Sequence, residues 1–478
     1  MNRFFVPGEH AREIPGRLYA RIDAIERSDA VDPDVTVVIL DAVDADWPGF
    51  ADDGPLSLRD DRTPDRVGGH WRRSFKGREP GDEGGDPFEG LPLFRVELTL
   101  HGRHPIMDGF ADEALPWLEL LVDRAAPIEI DVFGGLFAEP LATAIHAPKI
   151  AAVSPMLDRV FSMDSWPDAS PETVNELLTV PCDLEQLIAF DIGQGSANAL
   201  VCRCGQVTHY FDVGCGSGRN APTKPAVISF CVHEPPPVIL SHWDTDHWAA
   251  AALDPGLQKL DWLVPRQGPL KAAHVTMAND ILLAGGTISV VSASATRVSS
   301  SQTLELIKCP GKPGKTGLND TGLALIVRDH QSGRCWLLTG DAGYDLIPGL
   351  NPDDDFAAIV VPHHGADMGA HSLPPLRSSH PYARLIYSYG PDNAHGRTNV
   401  SHPRAAALTI HETAGWDHAC WMPAAAANGP GADPVFATAH HLGTPSVHLE
   451  GVRAGWTQPP PKPHHLAACP SAMPTPQI

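Results

Sequence analysis

The residues best suited to metal chemistry lie together in the segment 241–247. Two histidines and two aspartates occur there within six positions, namely His242, Asp244, Asp246 and His247. Neutral imidazole and carboxylate groups are ligands that Zn²⁺, Mn²⁺ and Fe²⁺ accept. An apolar, strand-like run precedes the segment, so the spacing indicates a metal site on a loop that leaves a buried strand. The alternative is a solvated polar turn, where His and Asp are also common.

Similar polar residues follow other strand-like runs in the second half of the chain. The runs and the residues after them are 208–211 with Asp212, 336–338 with Asp341, 358–361 with His363 and His364, and the later segment 399–403 with His402. Each of these residues alone is explained equally well by a turn or cap. Five such strand ends in one chain favour a single site at one rim of a layered sheet.

As a set, these motifs resemble those of the metallo-β-lactamase superfamily of hydrolases. The superfamily's second motif, His-x-His-x-Asp-His, has its counterpart here in the Asp-containing form of segment 242–247. That substitution, with segments 190–195, 319–322, 339–341 and 362–365, is most similar to the soluble hydrolase domain of the ComEC-type DNA-uptake proteins. The resemblance covers about residues 184–452 and implies an αββα sandwich. No counterpart of the ComEC membrane channel is found, so DNA transport is not expected.

The resemblance implies roles for the residues of a two-metal centre. His242 and Asp244 correspond to ligands of one ion, and Asp246 and His247 correspond to ligands of the other. Asp341 corresponds to the carboxylate that bridges the two ions. The expected cofactors are therefore two divalent metal ions, Zn²⁺ or Mn²⁺. An Asp in place of the usual second histidine replaces a nitrogen ligand with a charged oxygen ligand, which is a harder donor. This favours Mn²⁺ or a site with two different metals, without excluding Zn²⁺.

Three further positions have implied roles around this centre. Asp212 corresponds to an aspartate that orients the ligand histidines without binding metal. His363 corresponds to the last histidine ligand, and His364 is the alternative for the same role. His402 is expected to assist the leaving oxygen or to bind a substrate phosphate, although a turn histidine before proline is the plainer explanation.

The superfamily's third-motif histidine has no convincing counterpart. Only His274 and His330 lie between the second motif and the bridging aspartate, and neither stands in a recognisable motif. Asn319 or Asp320 is expected to take its place, as the Asn-containing segment does in ComEC-like relatives. Gln194 belongs to a Gly-rich segment that forms either a simple turn or part of the active-site rim.

The predicted reaction is hydrolysis by a metal-bound hydroxide. Two adjacent cations lower the pKa of a shared water to about 7, which supplies hydroxide at neutral pH. Asp246 and Asp341 would orient this nucleophile, so the catalytic candidates beyond the bridging residue are Asp246, Asp212 and His402. The resemblance favours a phosphodiester bond in a small molecule or a nucleic acid. Alternatives are an ester, amide or thioester hydrolase, and a metal-binding regulatory or scaffold component of a multi-protein bacterial system, for example in defence.

Residues 1–180 are predicted to form a separate small α/β or α+β domain that carries no catalytic motif. Strands are predicted at 36–40, 93–100 and 128–133, and a helix at 113–125. The stretch from about 51 to 91 is rich in Gly, Pro, Asp and Arg and is predicted to be a mobile loop. This domain is expected to serve as a scaffold or to bind a protein partner.

Charge and composition restrict the class of protein. The 478 residues include 35 Lys and Arg against 58 Asp and Glu, a net charge of −23. Residues 1–180 hold 17 basic and 34 acidic residues, whereas residues 181–478 hold 18 and 24. An acidic surface disfavours non-specific binding to nucleic acid or anionic lipid. The one basic, aromatic-containing stretch, 71–78, is predicted to be a solvated loop.

The remaining features favour a reduced, cytoplasmic protein without membrane contact. No apolar run is long enough to span a bilayer, and the N-terminus lacks a signal sequence. The nine cysteines are all predicted to be thiols, since the spacing of Cys202 and Cys204 does not suit a zinc half-site. Residues 453–478 are rich in proline and are predicted to be a disordered tail.

Overall fold

In the residues that it describes, the computed structural model contains three seven-stranded β-sheets and five α-helices, a mixed α/β architecture. It describes residues 1–8, 13–27, 35–77, 85–102, 116–298, 303–312, 317–390, 392–398, 401–418, 435–438, 449 and 451–458. Within these ranges, no helix is long and apolar enough to cross a membrane.

The first sheet lies in the N-terminal part and is antiparallel throughout, in the order β6-β5-β3-β2-β1-β4-β7. Its strands are β1 (Arg17–Arg27), β2 (Val35–Asp44), β3 (Leu93–His101), β4 (Leu118–Leu121), β5 (Ile128–Phe133), β6 (Leu141–Ile145) and β7 (Lys149–Ile150). The helices of the N-terminal part are α1 (Thr63–Lys76) and α2 (Ser154–Val160), and α3 (Pro171–Leu177) follows them and packs against the second and third sheets.

One face of this sheet is apolar and the other carries buried charges. Strand residues alternate between the two faces of a sheet, so charged residues two apart share a face. On β3, Arg95 and Glu97 alternate with buried apolar residues, and they pair across the sheet with Asp41 of β2 and Asp131 of β5. Asp23 of β1 is likewise buried and lies beside Arg95. This charged face is turned toward the C-terminal part of the chain.

The second sheet has the order β13-β12-β11-β10-β9-β8-β21, and β10 to β13 are parallel. The strands that open it are β8 (Leu184–Phe190), β9 (Ala197–Cys202), β10 (Val207–Val213), β11 (Val238–Ile239), β12 (Asp261–Pro265) and β13 (Thr287–Val291), with helix α4 (Ala272–Leu283) between the last two. β10 agrees with the strand-like run predicted at 208–211, and β11 agrees with the apolar run predicted before the segment 241–247.

The third sheet has the order β14-β15-β16-β17-β18-β19-β20, and β17 to β20 are parallel. Its elements are β14 (Arg297–Val298), β15 (Leu304–Lys308), β16 (Leu323–Arg328), β17 (Cys335–Leu338), β18 (Phe356–Val360), β19 (Arg384–Tyr387), helix α5 (Ala405–Thr413) and β20 (Val435–Ala437). The chain then returns to the second sheet as β21 (Gly451–Ala454), which pairs with β8.

The second and third sheets share one hydrophobic core. Leu187, Phe211 and Leu263 of the second sheet belong to the same buried cluster as Leu325 and Leu338 of the third. Both sheets have parallel strands whose carboxyl ends lead into polar loops, and this geometry delivers the loop residues to a common rim.

A different cluster joins the N-terminal part to the second sheet. It contains Phe5, Trp71 and Trp166 together with Tyr210 of β10 and Met277 of α4. The predicted separate domain at 1–180 therefore does not have a core of its own on this side. The buried apolar residues of this cluster are packed directly against the second sheet and α4, whereas Leu18, Val38 and Leu98 belong to a separate cluster within the first sheet.

The stretch predicted to be a mobile loop contains helix α1. Pro64 at the first turn suits a helix start, and Gly77 at φ 81° suits its end. Val67 and Trp71 are one helical turn apart and both are buried. Because these side chains are packed in the core, the abundance of Gly, Pro and charged residues was misleading here. The basic stretch that begins at Trp71 lies in α1 as far as Lys76, so it is not the predicted solvated loop.

Three smaller predictions also require correction. Where a helix was predicted at 113–125, the described part contains β4, whose buried Leu118 and Leu120 alternate with Glu119 and pair with β1. Residues 453–458 belong to β21 and its continuation, where Trp456 stacks on Trp336 with ring centroids 3.6 Å apart. The rest of the predicted tail, 459–478, lies outside the described residues.

The cysteine prediction fails at one position. Cys202 and Cys204 are joined in a disulfide, because the tight turn after β9 folds the chain back and leaves their Cα atoms 5.4 Å apart. Cys182, Cys215, Cys231, Cys309 and Cys335 are thiols, as predicted. Cys420 and Cys469 lie outside the described residues.

His209 of β10 should make stability depend on pH. Its ring is buried and its Nε2 lies 3.0 Å from the Leu177 carbonyl; burial lowers its pKa to about 4. The unfolded chain takes up this proton near pH 6.5 and the folded chain does not, so stability falls as pH drops from about 6.5 to 4, by about 3 kcal/mol at most. Urea unfolding at pH 7.5 and 4.5 should show a smaller difference for His209→Gln than for the unmodified chain. Exposed His330→Gln is the control and should leave the difference unchanged.

Candidate metal centre

The predicted metal ligands come together where the second and third sheets meet. Asp212 ends β10, and the segment 241–247 follows β11, which is the parallel neighbour of β10. Asp341 follows β17, and His364 lies in a short turn after β18, the parallel neighbour of β17. Two adjacent pairs of parallel strands thus deliver these residues to one buried place.

Asp212 positions the neighbouring Ser241 and His247 through hydrogen bonds. It is fully buried, with φ 62°, and its carboxylate accepts hydrogen bonds from the Ser241 backbone N–H at 2.6 Å and from the Ser241 hydroxyl at 2.9 Å. The same carboxylate lies 2.8 Å from His247 Nδ1. His247 therefore carries its proton on Nδ1, and its Nε2 lone pair points away from Asp212.

Two more histidines are held in the same tautomer. His242 Nδ1 lies 2.9 Å from the Ser241 hydroxyl oxygen, whose own proton goes to Asp212. His364 Nδ1 lies 2.8 Å from the carbonyl of Ser388 and donates to it. In both rings the Nε2 lone pair is left free, an assignment that follows from the hydrogen-bond network. Three histidines are thus prepared as ligands by their outer partners.

All three lone pairs face carboxylates. His247 Nε2 lies 3.1 Å from Asp341 Oδ1, and His242 Nε2 lies 3.5 Å from Asp341 Oδ2. His364 Nε2 lies 3.1 Å from Asp246 Oδ2. Among the residues that the structure describes, the three Nε2 atoms and Asp341 Oδ1 are buried without a hydrogen-bond partner. Lone pairs that face carboxylate oxygens repel one another unless a proton or a metal ion lies between them, so these residues fit divalent cations.

The geometry distinguishes His363 from His364, the two adjacent histidines between which the sequence could not choose. His364 forms a group with Asp246 and His247 in which the ligand atoms lie within 4.8 Å of one another. His363, the first choice from the sequence, lies at the edge of the centre, with its Nε2 3.7 Å from Asp341 Oδ2, and approaches Asn319 and Glu26 on its other side. Both residues have positive φ, 48° and 54°, which splays their side chains apart.

Asp244 is shared between the centre and a buried charge network. Its Oδ2 lies 3.4 Å from His242 Nε2, while its Oδ1 lies 3.7 Å from the buried ammonium of Lys271. Lys271 also lies 3.1 Å from Asp23 of the first sheet. His274, one of the two third-motif candidates, is buried next to this network and does not join the ligands of Asp341.

The electrostatics of the centre are those of closely spaced opposite charges. Burial opposes ionisation of Asp341, but the neighbouring His247 and His363 outweigh it and hold the pKa of Asp341 well below its usual value. Burial likewise disfavours a charged His247, yet Asp341 and Asp212 raise the pKa of His247 well above its usual value. For Asp246, burial is outweighed by the adjacent His364 and His247, so the pKa of Asp246 is lowered. The carboxylates are therefore ionised, as metal ligands must be.

The first sheet forms one wall of the cleft above the centre, which the sequence did not predict. Asp23, Glu26, Arg95 and Glu97 line a cleft of about 70 Å³ together with Asp244, Asp246 and Asp341 of the centre. The sequence contained a signal, since ionisable residues recur at two-residue spacing within strands that are otherwise apolar. Such residues must be buried against polar partners, but the sequence alone did not show which partners.

The other predicted residues have different surroundings from those expected. His402 is buried behind His363, and burial and the nearby His395 lower the pKa of His402 well below its usual value, so a neutral His402 does not fit the role of proton donor. Asn319 lines the cleft, with its amide nitrogen 3.5 Å from His363 Nε2, whereas Asp320 approaches Lys312.

Two more candidates from the sequence can be placed. Gln194 lines the cleft, in agreement with a rim position. Arg397 forms ion pairs with Asp131 at 2.6 Å and Glu129 at 3.1 Å. Arg397 therefore fastens the first sheet to the C-terminal part of the chain. His330 is exposed and lies away from the centre.

No protein-family model and no curated protein matches this sequence. The assignment of function therefore depends on the residues and the geometry described above.

Asp212→Asn should weaken metal binding without removing a ligand. The amide keeps the size of the side chain but loses the charge that holds His247 in its ligand tautomer. Loss of such an outer partner lowers metal affinity about 10- to 100-fold. Competition against a metal-sensitive dye would measure the change, and exposed Asp261→Asn is the matched control. Equal affinities of Asp212→Asn and the unmodified chain would contradict the role assigned to Asp212.

Proposed function

We propose that the chain is a metal-dependent hydrolase of the metallo-β-lactamase type with a two-metal centre, acting on phosphodiester bonds. The observation that carries this proposal is the set of three imidazole Nε2 atoms, on His242, His247 and His364, that converge on the carboxylates of Asp341 and Asp246 at 3.1–3.5 Å. Each ring is fixed by a hydrogen bond on its other nitrogen. This is the usual environment of metal-bound histidine.

The residues divide into two ligand groups that share Asp341. His242 and Asp244 lie on the Oδ2 side of Asp341, and His247 lies on the Oδ1 side with Asp246 and His364 next to it. Divalent cations bound here would lower the pKa of water and stabilise negative charge on the substrate. Asp341 would contribute one carboxylate oxygen to each ligand group.

The phosphodiester part of the proposal rests on the ComEC-like motifs and on two cationic residues at the cleft. Arg95 and Arg219 line it, and guanidinium groups suit phosphate oxygens. The same cleft is narrow and is walled by the first sheet. A small phosphodiester, or the end of a longer one, therefore suits the site better than an intact duplex.

A second candidate is hydrolysis of an uncharged ester, amide or thioester. It is favoured by the acidic lining of the cleft, where Asp23, Glu26 and Glu97 outnumber Arg95 and Arg219. Arg219 is also engaged, with its Nε 2.8 Å from Glu97. Carboxylates near the substrate disfavour an anionic diester unless the metal ions offset their charge.

An activity assay with two model substrates separates the candidates. Metal-loaded protein would be tested on bis-p-nitrophenyl phosphate and on p-nitrophenyl acetate, with Mn²⁺ and with Zn²⁺. Cleavage of the diester that a chelator stops supports the first candidate, and cleavage of the acetate alone supports the second. His364→Gln should abolish either activity, whereas His371→Gln, an exposed histidine nearby, should retain it. Absence of both activities and of bound metal would contradict both candidates.

A further inference from the structure

A second group of ligand-type residues lies beside the centre and includes a residue of the first sheet. Glu26 of β1, His363 and His402 each present one ligand atom, and the three atoms lie within 4.8 Å of one another. Glu26 Oε1 lies 3.9 Å from His363 Nε2, and Glu26 Oε2 lies 3.9 Å from His402 Nε2. These separations suit an ion that has both donors at about 2.0–2.2 Å.

His402 supplies the observation that points to a ligand. The residue is only 3% exposed, and both of its ring nitrogens are buried without a hydrogen-bond partner in the part of the chain that the structure describes. A buried imidazole with two unsatisfied nitrogens is costly unless another group satisfies at least one of them. Its Nε2 is directed at Glu26, which lines the cleft.

Because His364 lies beside Asp246, His363 is available to form a group with Glu26 and His402. His363 Nε2 lies 3.7 Å from Asp341 Oδ2, so the group adjoins the two-metal centre without sharing its three prepared histidines. Glu26 also approaches the guanidinium of Arg404, at 3.6 Å from Oε2. That contact holds one side of the carboxylate, and Oε1 remains directed at His363.

We propose that Glu26, His363 and His402 form a third divalent-cation site of the Zn²⁺ type, with one ligand contributed by the N-terminal sheet. Two histidines and one glutamate are a known ligand set for zinc that leaves a coordination position open. The site is adjacent to the proposed two-metal centre but rests on its own residues. It makes the first sheet part of the metal-binding machinery.

Counting metal ions tests this proposal. The metal-free chain would be loaded with excess Zn²⁺, freed of unbound metal by gel filtration and analysed by mass spectrometry. We expect about three ions per unmodified chain and about two in Glu26→Gln and in His402→Gln, since each loses one ligand. Glu129→Gln is the matched control because Glu129 lies on the same sheet with its side chain 81% exposed. It should keep all the ions.

The outcomes separate the third site from the two-metal centre. Two ions in the unmodified chain that Glu26→Gln retains would overturn the third site and leave the two-metal centre intact. One ion that is lost in Glu26→Gln but retained in Asp246→Asn would support the third site and contradict the two-metal centre. Circular dichroism of the metal-free variants checks folding, and His402→Gln decides the question if Glu26→Gln does not fold.

Discussion

Asp341→Asn should lower the rate of hydrolysis by about 10³-fold or more, because one carboxylate faces both ligand groups. Oδ1 lies 3.1 Å from His247 Nε2, and Oδ2 lies 3.5 Å from His242 Nε2. An amide offers one oxygen and no charge, so it cannot serve two cations. Both kcat/KM for the cleaved substrate and the metal content per chain would be measured, and both should fall.

A nearby surface aspartate provides the control for this experiment. Asp345 lies four residues further along the same loop and is exposed. Asp345→Asn changes the net charge by the same amount and should keep full activity and metal content. If Asp341→Asn kept its activity and its metal ions, a centre bridged by Asp341 would be ruled out.

The location of the centre could be predicted from the sequence because it depends on local features. Parallel strands end at a common edge, so Asp212, Asp341 and the segment 241–247 had to lie near one another once their strands were identified. The choice between His363 and His364 could not be made in this way. It depends on two consecutive residues with positive φ, and no feature of the Pro-His-His-Gly segment indicates that conformation.

The contribution of the first sheet could not be predicted, because it depends on contacts between distant parts of the chain. Glu26 is more than 300 positions from His363 and His402, and Asp23 is 248 positions from Lys271. No local pattern connects such residues.

The same contacts also bear on the interpretation of the acidic charge of residues 1–180. Part of its charge faces the cleft and is paired there, so it is not simply a scaffold or partner surface.

The buried tryptophan of helix α1 tests whether the two parts of the chain fold as one. Trp71 is fully buried, and its ring centroid lies 4.8 Å from that of Trp166 and 5.6 Å from that of Phe88. Its neighbour His70 lies 2.8 Å from Asn279 of α4, which connects α1 to the second sheet. Trp71→Ala should therefore lower the free energy of unfolding by about 3–5 kcal/mol, measured by urea denaturation.

The shape of the unfolding transition shows whether the N-terminal part unfolds together with the rest of the chain. Because Trp71 belongs to a cluster that also contains Tyr210 and Met277, its loss should shift one cooperative transition for the whole chain. Far-UV circular dichroism and the metal content should then be lost together as urea increases. Exposed Arg73→Ala on the same helix should change stability by no more than about 0.5 kcal/mol. An early transition in Trp71→Ala that leaves metal binding intact would show instead that the N-terminal part unfolds as an independent domain.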